Sequence, residues 1–265
     1  MDKHQTFRIP RRLVPVLLGM LTSLSGCAQD YSLAPPANSE QVTVRIKVPP
    51  ELEAEKMEVM YRSTICQRTR YDAYGKPYKV DGFHGIDVQP QQQGLSDIYE
   101  ARLARDGGGA CRWHLANVTF GVALRNTEQF GSGVTFGGGG GVVVIFDHND
   151  SPMGGADIKV DGDLTVQGGY YPLLQESFLG GHRVQLVLWR ATGGYRKYQA
   201  LNAREVYFEP MLYSNYVVRS VGPKVKREGN YRVIIYPDGS VQSDGRSGPS
   251  FSKLETIRKA AESQN

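Results

Sequence analysis

Three thiols, four histidines and one dense polar cluster are the residues downstream of the N-terminal stretch that could do chemistry. The cluster is Asp147-His148-Asn149-Asp150-Ser151. Asp147, Asn149 and Ser151 stand at alternate positions, as at the start of a calcium loop. Such a loop needs Gly at its sixth position and Glu at its twelfth, where this chain has Pro152 and Ile158. A polar turn is the better reading. His84, His114, His148 and His182 are scattered, with no HExxH pair to bind zinc from one helix face. A serine hydrolase of the nucleophile-elbow kind needs G-x-S-x-G between a strand and a helix, and the sequence has none. The five glycines Gly137 to Gly141 are followed by no Gly-Lys-Ser/Thr, so they read as flexible or tightly turned backbone rather than a phosphate loop. These patterns lead to the expectation of no metal, no cofactor and no enzyme activity.

The third thiol has a different context. Lys3, Arg8, Arg11 and Arg12 form a positive segment, followed by a short apolar run from Leu13 to Leu24. A spanning helix needs about 20 apolar residues, so a run of about 12 is a processing signal and not an anchor. It closes on Leu24-Ser25-Gly26-Cys27. That tetrapeptide resembles the lipobox of bacterial lipoproteins. The resemblance implies removal of residues 1–26 as a signal peptide and lipidation of Cys27, with palmitate among the acyl groups. Two or three chains hold a protein in a bilayer far more firmly than one. Ala28 follows the cysteine and no Asp does, which by resemblance to enterobacterial sorting implies a lipid-anchored, periplasm-facing place in the outer membrane.

The signal carries four of the 31 basic residues and one of the 27 acidic ones, so the remainder has a net charge of about +1. No global field draws it to nucleic acid. In an oxidising compartment the two unlipidated cysteines, Cys66 and Cys111, are expected to pair. A bridge between positions this far apart stabilises by about 4 kcal/mol in the chain-entropy picture.

The elements that must position these residues are strands. Residues 27–40, with Pro35-Pro36, read as a lipidated tether that holds the domain off the lipid surface. Val42, Val44, Ile46 and Val48 then alternate with polar residues. Met57, Val59 and Tyr61 lead a strand into Cys66, and Tyr71 to Gly94 reads as a long hairpin or loop. Gly107 to Gly109 reads as a turn. Cys111, Trp113 and Leu115 share one face, but from Val118 through Phe120, Val122 and Leu124 the parity flips, predicting a one-residue bulge at Ala116-Asn117. Asp161-Gly162-Asp163 and Pro237-Asp238-Gly239 read as hairpin turns. Ser252 and Glu255 suggest a capping box for a C-terminal helix. About ten short strands and one helix predict a single all-β domain over residues 41–265, a sandwich or barrel-like fold with a short C-terminal helix.

Fifteen tyrosines remain to be placed, among them Tyr170, Tyr171, Tyr195, Tyr198, Tyr207, Tyr213 and Tyr216. They belong either to a protein interface, where Tyr is enriched, or to sheet cores and edges. Tyr61 to Cys66 (Tyr-Arg-Ser-Thr-Ile-Cys) and Gly108 to Trp113 (Gly-Gly-Ala-Cys-Arg-Trp) look similar to segments of type VI secretion-associated immunity lipoproteins. That resemblance covers only Met57 to Pro152 and transfers no functional residue. It implies a membrane-anchored periplasmic binding protein that neutralises a secreted antibacterial effector by stoichiometric binding. The alternative is a structural or assembly lipoprotein of the envelope or a secretion apparatus. The expected partners are the lipid bilayer, through acylated Cys27, and a protein.

Overall fold

Val42, Val44 and Ile46 are fully buried and their neighbours are not, so the first strand forms with one face in a core. The computed structural model describes residues 30–148, 155–190 and 195–264. In chain order the strands are β1 (Gln41–Lys47), β2 (Leu52–Ala54), β3 (Met57–Tyr71), β4 (Pro77–Val88), β5 (Gln91–Gln92) and β6 (Ile98–Ala104). Next come β7 (Asp106–Gly108), β8 (Trp113–Leu124), β9 (Val134–Gly138), β10 (Gly140–Ile145), β11 (Ile158–Lys159) and β12 (Leu164–Ser177). The last are β13 (Arg183–Trp189), β14 (Tyr195–Gln199), β15 (Glu205–Leu212), β16 (Val218–Val221), β17 (Val233–Ile235) and β18 (Val241–Gln242), before helix α1 (Phe251–Glu262).

They form two mixed sheets. One runs β18-β17-β16-β12-β15-β1-β6-β5, with β13 and β9 branching from β12. The other runs β11-β14-β10-β8-β3-β4, with β2 and β7 also on β8. The sheets pack face to face as an all-β sandwich, and Phe120 of β8 meets Phe208 of β15 edge-on across the core, 6.0 Å between centroids. The predicted bulge is present: Met60 pairs with Asn117 but Tyr61 pairs with Leu115, which leaves Ala116 as the extra residue.

β12 shows how cover follows sequence. Leu164 and Val166 are buried while Thr165 and Gln167 are exposed, because only one face is covered there. From Tyr170 to Leu174 the strand is buried on both faces. Tyr170 and Leu174 join the sandwich core, whereas Tyr171 and Leu173 pack with Leu254 of α1 in a second, smaller core. The helix therefore caps the far end of one sheet.

Several local expectations are corrected. The glycines Gly137 to Gly141 are not a flexible loop; Gly137 and Gly138 end β9, Gly140 and Gly141 begin β10, and Gly139 links the two. A side chain at Gly140 would meet the buried Tyr170 ring at 2.0 Å, and one at Gly141 would meet Tyr195 at 2.6 Å. Asp161-Gly162-Asp163 makes no hairpin. It carries the chain from β11 in one sheet to β12 in the other, held by Asp163 accepting from the backbone N–H groups of Arg204 and Glu205. The helix starts two residues earlier than the capping box implied, with Ser250 as its cap. Glu255 is instead taken by the Tyr171 hydroxyl and by Arg258. Gly107 to Gly109 do more than turn the chain, because residues 32–34 lie directly on them. A Cβ on Gly108 would fall 2.1 Å from the Ala34 carbonyl oxygen, and one on Gly109 2.5 Å from that of Ser32.

Candidate functional site

β3 runs the length of its sheet, and its two ends have different chemistry. Beyond Cys66 every side chain from Gln67 to Lys79 is exposed, so β3 and β4 leave the sandwich as a free-standing hairpin arm. The arm carries Tyr71, Tyr74 and Tyr78 in solvent, with Tyr74 96% exposed. An isolated two-stranded hairpin is marginal in water, so its root must be held. Three devices hold it. The disulfide joins Cys66 to Cys111 across 5.3 Å between Cα atoms, as the pairing of leftover thiols predicted. The buried Ser63 hydroxyl donates to the Cys111 carbonyl at 2.6 Å and accepts from the Ile65 and Cys66 N–H groups. Opposite them stands Gly82, where a Cβ would lie 1.9 Å from the Cys66 carbonyl oxygen. Asp72 closes the tip by accepting from Tyr74 and Lys76 backbone N–H groups.

At the other end of β3 lies a cleft of about 710 Å³, bordered by Glu53, Glu55, Glu58, Thr119, Phe136 and Tyr195. Glu55 sits at its floor. Gly121 and Gly139 make room for its carboxylate, since a Cβ on either would come within 3.1 Å of a carboxylate oxygen. The Tyr195 hydroxyl donates to Glu55 Oε2 at 3.1 Å. Burial pushes the Glu55 carboxyl above its ordinary range, against the Tyr195 hydrogen bond, and Glu53 and Glu58 push the same way. Burial and the Glu55 charge likewise raise the Tyr195 phenol, which stays a donor at neutral pH. Lys56 at the rim is paired with Asp87 at 2.5 Å. The floor therefore offers a preorganised carboxylate with lone pairs to spare, which suits an incoming cation.

The residues singled out in the sequence are mostly elsewhere. Asp147 forms an ion pair with Arg62, 3.1 Å between charged atoms, and its carbonyl accepts from Gln199. It ties β10 to β3, while Asn149 to Ser151 lie outside the described residues. The histidines are not brought together. His84 tilts against Trp113 at 5.5 Å, His182 meets Glu176 at 2.8 Å, and His114 and His148 face solvent. Among the described residues no three His, Cys, Asp or Glu side chains gather to hold a metal. Tyr170, Tyr171 and Tyr198 are buried, so the tyrosines that can reach a partner are other ones, foremost Tyr71, Tyr74 and Tyr78. Sequence reasoning missed Glu55. Its signal was the glycine run, whose meaning depends on a residue more than eighty positions away.

Cys27 lies outside the described residues. Of the stretch expected as a tether, residues 30–40 lie against the domain. The Trp113 indole donates to the Tyr31 carbonyl at 3.0 Å, the Ala34 N–H donates to Gly107, and Leu33 packs on the core. Among the described residues no helix is long and apolar enough to cross a membrane. No family model matches the chain, and neither a curated protein nor a solved structure matches it.

Proposed function

We propose that the protein is a membrane-anchored periplasmic binding protein, held in the outer membrane by acylated Cys27, which neutralises a secreted antibacterial effector by stoichiometric binding and has no turnover of its own. The observation that carries the proposal is the Glu55 cleft. It is preformed on rigid strands, it is acidic and bordered by aromatic side chains, and it lies at the opposite end of β3 from the place where the anchored chain enters. A surface that needs no ordering loses little affinity on binding. A basic side chain of the partner would replace the water on Glu55 and gain a charge-assisted hydrogen bond in a half-buried setting. Anchoring keeps the inhibitor concentrated in the compartment where an effector arrives.

The test has two parts. The lipidated protein, captured from cells, is expected to bring down one effector at a fixed ratio, and Glu55→Gln to weaken that complex by about 2 kcal/mol or more, some thirtyfold in Kd. A deletion strain is expected to lose fitness when grown against its parent. Recovery of envelope-assembly components alone, with no fitness loss, would favour the structural-lipoprotein reading instead.

A further inference from the structure

The chain enters the domain beside the root of the arm. The Asp30 carbonyl oxygen lies 3.8 Å from Cys111 Sγ, and Cys111 is bonded to Cys66, where the arm begins. β8 is antiparallel to β3, so the start of β8 and the arm-bearing end of β3 are the same end of the sheet. Residues 30–34 are fastened there by Trp113 and Gly107. Only residues 27 to 29 separate a lipid on Cys27 from this fastening, and three peptide steps span at most about 11 Å. The arm reaches roughly 20 Å from Cys66 to its turn, at about 3.3 Å per residue. A bilayer within reach of Asp30 is thus within reach of the arm, which projects from the same end.

The composition of the arm fits that surface. Tyr71, Tyr74 and Tyr78 are exposed, and tyrosine is the side chain that settles where headgroups meet acyl chains. Arg70, Lys76 and Lys79 stand among them, against Asp72, whose carboxylate is occupied in closing the turn. Arg68 lies over the Phe83 ring at 3.8 Å and stiffens the stem. A cationic, aromatic tip of this kind binds phospholipid headgroups through charge and buried ring area together.

We propose that the tip of the β3–β4 arm, from Thr69 to Lys79, rests in the headgroup layer of the membrane that holds the anchor, and so fixes the Glu55 cleft facing away from the bilayer. This rests on the reading of Cys27 as lipidated. The protein then has two membrane contacts, a covalent one and a reversible one, and its orientation is set rather than free.

The experiment replaces Tyr74 with photoreactive p-benzoylphenylalanine in the full-length protein in cells, with the same replacement at Tyr195 as the distal control. Palmitate labelling of both proteins is measured in parallel. The expected result is a phospholipid adduct at position 74 and none at 195. Arg70→Glu with Lys76→Glu should then lower the adduct yield severalfold, given about fivefold in headgroup affinity per cation. A labelled protein that crosslinks at 74 only to another protein, or to nothing, overturns the inference and leaves the anchor standing. Absence of palmitate from both proteins overturns the anchor and this inference together.

Discussion

The two ends of β3 solve opposite problems with the same backbone. At the Glu55 end the strand lies inside a sheet, and glycines on neighbouring strands let a carboxylate and two phenol rings approach the backbone closely. At the arm end no sheet covers either face, and order depends on a covalent bridge, one buried hydroxyl and one glycine at the root. The first is rigid because it is packed, the second because it is pinned. Binding surfaces can be built either way, but the two should fail differently when altered.

The largest effect is expected at the pin. Cys66→Ala removes the bridge and should cost about 4 kcal/mol, a fall of roughly 10 °C in melting temperature under non-reducing conditions. The same variant should let trypsin cut at Arg68 and Arg70 while the sandwich is still folded. Uniform resistance of the arm would mean that the hairpin needs no pin. The next effect belongs to the packed end. Gly140→Ala places a methyl group inside the Tyr170 ring, which has nowhere to go, and should cost about 3 kcal/mol. Gly75→Ala at the arm turn meets nothing, so only its positive φ of 77° is at stake, about 1 kcal/mol. Equal losses by thermal melting would erase the distinction between packed and pinned.

The sequence reveals these two ends unequally. Where one face is buried, alternation is visible, and the parity flip at Ala116-Asn117 marks the bulge that the pairing of β3 with β8 contains. The arm has no buried face, so Tyr71 to Lys79 carries no alternation and reads equally as loop or hairpin. The glycine run was visible but its reason was not, because Glu55, Tyr170 and Tyr195 are distant in sequence and local propensity says nothing of them. Ser252-x-x-Glu255 misled for a similar reason. A tertiary contact from Tyr171 outweighed the local cap. The cysteines were the clearest case, since counting thiols left one pairing.

Glu55 sharpens the comparison through pH. Its carboxyl is held above the ordinary range by burial, so the folded protein binds this proton more tightly than the unfolded chain does. Stability contributed by that difference is present at low pH and is lost as pH rises through the folded pKa, which leaves an ionised Glu55 as a drag at neutrality. Glu55→Gln should therefore raise the melting temperature at pH 7. With the side chain still partly solvated the gain is small, about 1–2 °C. The advantage should close as pH is lowered towards 4. A loss of stability at pH 7 would show the carboxylate to be a structural partner of Tyr195 rather than a group kept for a ligand.

The smallest effect on stability is expected at the arm tip, and its smallness is the point. Tyr74 is 96% exposed, and its ring has no packing to lose. Tyr74→Ala should change the unfolding free energy by less than about 0.5 kcal/mol, within the range of ordinary surface substitutions. Single exposed aromatic side chains are ordinary on protein surfaces, so a role for this ring has to be read from membrane binding and not from its exposure. The measurement is therefore a pair. Denaturant unfolding of Tyr74→Ala should superimpose on that of the parent, with the same slope and midpoint, while, if Cys27 carries lipid as proposed, membranes should release the variant in milder detergent than the parent. If unfolding shifts by 2 kcal/mol instead, Tyr74 is holding the hairpin together, and the arm is part of the scaffold rather than a contact made by it.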